Sequence, residues 1–392
     1  MTFNAQTARI VRPELALAGA LALMSLITGR KIQDKTGLRA NLYVIGLADS
    51  GAGKTHAKKL NGQILAAAGH SELSLGKPKS SSALVSCLAR NPLGLLQIDE
   101  LADWLNAMRS PMANPHLYDI LSVMKELYSE CDNDQWKPST YADTSKNVTI
   151  GYPHLSFYGV APPEKFWGSL TRDNMTDGLV GRLIVIGCKG DNCSEDREVT
   201  PIPDLIRDKV RACIEYAPTG AGNLNALSPK IQTIRYTEEA YKRYRSHTKQ
   251  IEQGRPGESK ESHVVWGRSP EKTGKLSMLS ACSRTIPVDG NLPTIEIKDV
   301  EWSIKLNNWC TREMLRNASE HLADNHRHKA SNDLLKKIPY DGTPKSKLIR
   351  SSQNLTSRER DDILNDLMNS GRVVIEPQPT GGRPGQIIKR ID

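Results

Sequence analysis

Apolar runs alternate with amphipathic stretches along the first half of the chain, which is the pattern of an α/β protein. Four runs are apolar almost throughout and predict strands buried on both faces, as in a parallel sheet. They lie at residues 42–45, 92–98, 154–161 and 183–186. Helical patterns separate them, at residues 15–27, 56–67, 82–90, 101–108 and 117–128. This half is therefore predicted to fold as a parallel sheet covered by helices.

The second half is mostly helical, and its last sixty residues change in character. Helices are predicted at residues 206–215, 237–252, 270–283 and 298–324. Near the end, helical segments at 332–338, 344–351 and 356–369 precede two short strands at 372–376 and 386–390. Three helices followed by a hairpin predict a winged helix, and Thr356 with Glu359 forms the capping box that begins its third helix. The predicted domains are a helical segment (1–40), a core (41–200), a helical lid (201–330) and the winged helix (331–392).

The first predicted strand leads into a glycine-rich loop and then a helix, which is the arrangement of a P-loop. The loop and the start of the helix comprise Ser50, Gly51, Ala52, Gly53, Lys54 and Thr55. The glycines allow the backbone N–H groups to point inward at a helix N-terminus, where they bind phosphate. Lys54 is expected to reach the β and γ phosphates of ATP, and the Thr55 hydroxyl to bind Mg²⁺. Ala48 replaces the first glycine of the usual pattern.

A second nucleotide motif is predicted where the strand at 92–98 ends in Asp99 and Glu100. Asp99 is expected to order the Mg²⁺ shell, and Glu100 to polarise the attacking water. The spacing from Lys54 predicts that this strand lies directly beside the P-loop strand.

Two arginines are candidates for contact with phosphate from other parts of the chain. Arg182 precedes a buried strand, at the lip of the sheet, and an arginine there can reach the γ-phosphate held by a neighbouring subunit. The alternative is an arginine that pairs with a local carboxylate. Arg268 or Lys272, at the start of a helix, is a candidate second sensor of nucleotide, and a solvated basic helix end is the alternative. A polar sensor is expected at the end of the strand at 154–161, but Pro162 stands there.

The charge balance favours a polyanionic partner, because 53 Lys and Arg face 44 Asp and Glu and the net charge is +9. Lys146 is predicted near the tip of a hairpin at 136–153 that either grips DNA in a ring pore or lies on the surface. The candidate phosphate contacts of the winged helix are Lys345, Lys347, Arg350, Arg358 and Arg383. Winged helices also bind proteins, so both partners remain open there.

Seven scattered cysteines indicate a reducing cytosol. The apolar run at 15–27 is shorter than a membrane span and predicts a buried helix instead.

These motifs resemble the AAA+ ATPases of phage and plasmid replication proteins, in the D5-like, primase-associated helicase group. The resemblance rests on residues 41–55, 98–100, 177–182 and 266–276. It implies a ring, usually a hexamer, that hydrolyses ATP with Mg²⁺ and translocates on DNA in a bacterial host cytoplasm. Single-stranded DNA is expected in the pore and duplex at the winged helix. No primase–polymerase domain fits in the 40 residues before the P-loop, so priming is expected either to come from a separate protein or to be absent.

The sequence thus predicts an ATP-dependent DNA helicase or translocase that replicates a mobile genetic element. A helicase loader, or a DNA-bound ATPase that remodels a protein without unwinding, shares the same motifs. A transcription regulator that senses ATP is a third hypothesis.

Overall fold

A parallel sheet of five strands lies at the centre of the α/β fold in the computed structural model. The strands of the first 316 residues are β1 (Ile32–Gln33), β2 (Tyr43–Leu47), β3 (Ser74–Leu75), β4 (Leu93–Ile98), β5 (His154–Ala161), β6 (Leu183–Gly187), β7 (Gln232–Thr233), β8 (Arg235–Tyr236) and β9 (Thr294–Ile295). Five of them form the sheet, in the order β3-β4-β5-β2-β6, and every neighbouring pair is parallel. The pairs β1·β7 and β8·β9 form separate two-stranded parallel sheets.

The structure describes residues 1–108, 115–140, 143, 147–170, 178–190, 194–216, 229–254, 260–288, 291–321, 326–353, 355–378 and 385–391. The chain divides into two units, Met1–Arg316 and Asn317–Asp392. The first unit includes the segment 1–40 and most of the predicted lid together with the core.

The helices of the first unit surround the sheet. They are α1 (Thr2–Thr7), α2 (Pro13–Ile27), α3 (Thr55–Ala67), α4 (Ser81–Arg90), α5 (Leu101–Ala107), α6 (Pro115–Ser129), α7 (Pro163–Ser169), α8 (Leu179–Arg182), α9 (Asp204–Glu215), α10 (Glu238–Gln253), α11 (Lys260–Gly267), α12 (Ser269–Arg284) and α13 (Ile297–His321). A 3₁₀ turn covers Ser71–Leu73. The helices predicted from periodicity are present, with ends that differ by a few residues, whereas α7, α8 and α11 lie outside the predicted helices.

The position of β4 in the sheet differs from the prediction. β5 pairs with β2 on one side and with β4 on the other, so a whole strand separates β4 from the P-loop strand. The prediction that β4 directly neighbours β2 is therefore wrong, because chain order does not set the order of strands in a sheet with crossovers. The two-residue β3 was also missed, since so short a strand shows no periodicity.

The apolar helix α2 is buried against the sheet, as its sequence predicts. Ser25 near its end hydrogen-bonds to Ser156 of β5, with 2.7 Å between the hydroxyl oxygens, and accepts the Leu42 N–H at 2.9 Å. Leu15 near its start packs with Ala48 beyond the other end of β2. The helix therefore runs antiparallel to the strands. No helix in the described ranges has the length and apolar character needed to cross a membrane.

The C-terminal unit contains helices and a small antiparallel sheet. Its elements are α14 (His326–Lys336), α15 (Lys345–Ser351), α16 (Ser357–Asn369), β10 (Thr343–Pro344), β11 (Val373–Gln378) and β12 (Gly385–Arg390). The sheet order is β10-β12-β11. The predicted capping box is confirmed, because the Thr356 hydroxyl accepts the Glu359 N–H and the Glu359 carboxylate accepts the Thr356 N–H. The buried Arg360 donates to the carbonyl oxygens of Ser352 and Leu355, which fixes the turn between α15 and α16.

The structure describes residues 136–140, 143 and 147–153 of the segment for which a hairpin is predicted. Trp136 and Ile150 form one antiparallel bridge there. Lys146, expected near its tip, lies outside the described residues.

His154 at the start of β5 is fully buried and neutral. Its Nε2 lies 2.9 Å from the carbonyl oxygen of Ser25, which identifies that nitrogen as the donor. Burial, reinforced by the nearby cations Lys275, Arg39 and Lys31, lowers the pKa of His154 to about 3. The unfolded chain binds a proton at this residue below pH 6.5, and the folded chain does not.

Stability is therefore predicted to fall as the pH drops from about 6.5 towards 3. The contribution of His154 to the unfolding free energy falls by up to about 1.4 kcal/mol per pH unit in that window. Denaturant unfolding of the wild type and the His154→Gln variant between pH 6.5 and 5 measures the difference, with the exposed His116→Gln as control. Equal pH slopes in the wild type and His154→Gln would contradict the buried neutral state.

Candidate functional site

The common direction of the five strands gives the sheet two chemically different edges. The carboxyl ends of β2, β4 and β5 lead into the predicted P-loop, into Asp99–Glu100 and into Pro162. Ligands of open parallel sheets bind at this carboxyl edge, where connections to the two sides diverge. The chain leaves β2 towards β3 on one side and later adds β6 on the other. The predicted nucleotide loop thus lies at that point.

The loop between β2 and α3 has the backbone that its glycines predict. Gly51 and Gly53 have φ values of 80° and 77°, in the left-handed region that other residues avoid. A Cβ atom on Gly53 would also lie 3.3 Å from the Cβ of Ile10. The segment before α2 therefore packs against the loop from outside, which the sequence did not indicate.

Backbone donors converge at the start of α3, a helix of 13 residues. Within the described chain, the N–H groups of Gly53, Lys54 and Thr55 have no protein acceptor. Ala52 differs, since its N–H donates to the Asp49 carbonyl oxygen at 3.1 Å and its side chain is buried. Free N–H groups at a helix N-terminus favour an anion. These donors fit a phosphate group, whereas Ser50 is exposed at the rim.

Two lysines, Lys54 just before α3 and Lys58 within it, reach the acidic end of β4. Lys54 Nζ lies 3.7 Å from a Glu100 carboxylate oxygen, and Lys58 Nζ lies 3.7 Å from one of Asp99. The intervening β5 sets β2 and β4 about 10 Å apart, twice the strand spacing, which leaves room for a phosphate between them. Glu100 has a φ of 50°, and such strained backbone occurs at functional sites. The structure thus brings together the residues of both predicted nucleotide motifs.

A magnesium ion at this edge needs ligands from a bound phosphate. In the described part of the chain, no group of three His, Cys, Asp or Glu side chains is placed to hold a metal ion. Thr55 and Asp99 lie at the same edge, and Mg²⁺ usually takes one or two protein ligands together with substrate phosphates and water. The residues present therefore fit Mg²⁺ bound with a nucleotide.

Arg182 lies at the opposite, amino-terminal edge of the sheet and is held by its own chain. It is 8% exposed, and its guanidinium donates to the Gly178 carbonyl oxygen at 2.8 Å and to the Ser129 hydroxyl at 3.1 Å. Burial lowers its pKa, and repulsion from Arg268 lowers it further. β6 begins directly after it, so a strand of five residues, about 16 Å, separates it from the level of the P-loop.

Arg268 lies beside Arg182 and far from the loop of its own chain. It pairs with Glu271 at 2.9 Å, and its Cγ lies 3.3 Å from where a Cβ on Gly181 would be. The alternative sensor, Lys272, is buried, and its Nζ donates to the Leu183 carbonyl oxygen at 3.3 Å. Burial lowers the pKa of Lys272 to about 8. The structure therefore does not bring either candidate sensor to the P-loop of the same chain.

A buried polar network behind these arginines was not found from the sequence. Lys275 is fully buried, and its Nζ donates to the Asn41 side-chain oxygen at 2.7 Å. It also lies 3.2 Å from Glu271 and 3.6 Å from the centre of the Tyr128 ring. Lys275 therefore joins α12 to the start of β2 and to α6. A lysine on the apolar face of a helical pattern was the only signal for it.

The predicted DNA contacts of the C-terminal unit lie on a surface of mixed charge. Lys347, Arg350 and Arg358 are exposed. Lys345 pairs with Asp361 of α16 at 3.2 Å, and Arg383 lies outside the described residues. The exposed acidic residues of α16 are Glu359, Asp361, Asp362 and Asp366. Arg358 is the one exposed cation described on that helix, so its exposed face is acidic.

No protein-family model matches the chain, and no curated protein matches it significantly.

The pair of Lys58 with Asp99 predicts competition with Mg²⁺. The Lys58→Gln change frees the Asp99 carboxylate, and a partly exposed ion pair is worth up to about 1 kcal/mol. The Mg²⁺ concentration that half-saturates binding of a fluorescent ATP analogue is therefore expected to fall by up to about fivefold. Lys59→Gln, an exposed neighbour, is the matched control. An unchanged or higher Mg²⁺ requirement in Lys58→Gln would show that Lys58 does not compete with the metal.

Proposed function

We propose that the chain is an ATPase of the AAA+ type that acts on DNA as an oligomeric helicase or translocase. The observation that supports it most is the meeting of Lys54 with Glu100 across an intervening strand, beside free N–H groups at the start of α3. A buried lysine and a carboxylate at one sheet edge form the minimal apparatus for binding and hydrolysing a triphosphate. The resemblance of these motifs to phage and plasmid replication ATPases supports replication of a mobile element.

Each residue at the carboxyl edge then has a defined task. The N–H groups of residues 53–55 hold the phosphates. Lys54 breaks its contact with Glu100 and binds the β and γ phosphates. Glu100, freed from Lys54, orients the attacking water. Thr55 and Asp99 would hold Mg²⁺, which would neutralise the charge that develops on the phosphates.

The arginine that completes the reaction comes, in this proposal, from a second copy of the chain. Arg182 and Arg268 sit at the edge opposite to the P-loop, so neither reaches the phosphates of its own chain. A ring in which the amino-terminal edge of one copy faces the carboxyl edge of the next brings them to a neighbour's nucleotide. Arg182 exchanges its contacts with Gly178 and Ser129 for the γ-phosphate.

Mixing two inactive variants tests this arrangement. Lys54→Ala removes phosphate binding but keeps Arg182, and Arg182→Ala keeps the P-loop. Each variant alone is expected to lose ATP hydrolysis by about 10³-fold or more, the usual effect of an arginine finger. An equimolar mixture is expected to recover a substantial part of the activity, because some sites then combine an intact P-loop with an intact arginine.

The exposed Arg245→Ala on α10 is the control and is expected to hydrolyse ATP at the wild-type rate. A mixture as inactive as its components would show that Arg182 acts within its own chain, and an Arg182→Ala protein with normal turnover would remove its role altogether.

A remodelling ATPase that does not unwind DNA is the second candidate, and the acidic face of α16 favours it. In a winged helix that binds DNA, α16 would be the helix that enters the major groove of the duplex. It carries four exposed carboxylates, which DNA phosphates repel. Such a face suits a basic protein partner better than a duplex.

Charge reversal on α16 separates the two candidates. If α16 binds DNA, Asp362→Lys and Asp366→Lys are expected to change duplex affinity strongly and to steepen its salt dependence by about one unit per charge. If α16 binds a protein, the affinity for duplex DNA is expected to change only weakly. Neither the wild type nor the variants are then expected to unwind a forked duplex. Strand displacement by the wild type would exclude the remodelling candidate.

A further inference from the structure

A second group of cations lies at the amino-terminal edge of the sheet, where α2 ends. Arg30 and Lys31 follow α2, and Arg39 precedes β2. Lys31 and Arg39 are 6% and 5% exposed, so both are almost completely withdrawn from water. Burial, together with repulsion from Arg39, lowers the pKa of Arg30 to about 10. Three buried or half-buried positive charges thus share one small region.

The guanidinium of Arg39 has unused donors although it is buried. Among the residues that the structure describes, its Nε and Nη1 atoms have no hydrogen-bond partner. The group lies over the ring of Tyr152, with 5.3 Å between its central carbon and the ring centre. Stacking on an aromatic ring orients the donors but does not satisfy them. Nearly all buried polar groups in folded proteins are hydrogen-bonded, so two free N–H groups on one buried arginine require an explanation.

Arg30 repeats the pattern on a strained backbone. Its Nη2 donates to the Gly151 carbonyl oxygen at 3.3 Å, whereas its buried Nε has no partner in the described part of the chain. Arg30 and Tyr152 have φ values of 60° and 50°. Together with Glu100 they are the only residues other than glycine with positive φ in the described ranges. Such strain persists where a binding site needs it.

Carboxylates do not neutralise these arginines. Within the ranges that the structure describes, no Asp or Glu lies within ion-pair distance of Arg30 or Arg39. Asp132 attracts Arg39 from a greater distance, and its own side chain is exposed. A buried, unpaired guanidinium is unfavourable, and a planar fork of donors matches the oxygens of a phosphate.

We propose that Arg30 and Arg39 form a binding site for a phosphate group at the amino-terminal edge of the sheet. Lys31 adds positive charge beside it, and Tyr152 holds the Arg39 fork in place. The phosphate comes either from a nucleic-acid backbone or from the nucleotide of a neighbouring copy. The first source does not depend on the proposed ATPase, whereas the second rests on it.

DNA binding by a protein with a disabled P-loop tests whether the phosphate comes from a nucleic-acid backbone. In a Lys54→Ala background, Arg39→Gln and Arg30→Gln are each expected to weaken binding of a fluorescent oligothymidylate by about tenfold. Arg39→Lys is expected to recover only part of the affinity, since lysine keeps the charge and loses the fork. Arg245→Gln, an exposed arginine on α10, is the charge-matched control and is expected to bind normally.

ATP hydrolysis by mixtures of two variants tests whether the phosphate belongs to the nucleotide of a neighbouring copy. If the phosphate belongs to a neighbour's nucleotide, Arg39→Gln with an intact Lys54 binds DNA normally and loses ATP hydrolysis. Mixing it with Lys54→Ala then restores hydrolysis. If Lys54→Ala proves irrelevant to hydrolysis, the ATPase proposal fails while the oligothymidylate result still stands on its own.

Thermal unfolding separates a binding arginine from a structural one. The Arg39→Gln midpoint is expected to equal or exceed that of the wild type in phosphate-free buffer, because an unpaired buried charge is removed. A lower midpoint, with unchanged DNA binding and no recovery in mixtures, would overturn the proposal. Wild-type DNA affinity and hydrolysis in both Arg39→Gln and Arg30→Gln would overturn it equally.

Discussion

The direction of the five parallel strands is the constraint on which the account of this protein depends. Because all strands run the same way, the loop before Lys54 and the acidic pair Asp99–Glu100 open at one edge of the sheet. Arg182 and Arg268 lie at the other edge, one strand length away. No side-chain rotation closes that distance. Within one chain the structure therefore brings together the residues proposed to bind phosphate and separates them from the arginines.

The amino-terminal edge is stabilised by unusual means, because lysine and arginine take the place of apolar side chains there. Lys275 connects Asn41, Glu271 and Tyr128, so its charge is paired and its donors are used. Removing one partner of such a buried pair costs about 3 to 5 kcal/mol. Arg39, a short distance along the same edge, has no comparable partners. The contrast distinguishes a cation that holds the fold from one that is available to an anion.

The sequence predicted those parts of the fold in which local pattern and position agree. Strand, glycine loop and helix around Lys54 are contiguous, so chain order alone placed them, and the Thr356 capping box is equally local. The insertion of β5 between β2 and β4, and the position of Arg268, depend on contacts between distant segments, which periodicity does not encode. The burial of Lys275 and Arg39 was not predicted, because a charged residue in a sequence suggests contact with solvent.

The measurement that tests the central claim most directly is the ATP turnover per chain across a dilution series, with the oligomeric state measured in the same samples. If the arginines act on a neighbour's nucleotide, turnover per chain falls steeply once single chains predominate. Constant turnover in samples that contain only single chains would contradict the account, because one chain would then complete its own site.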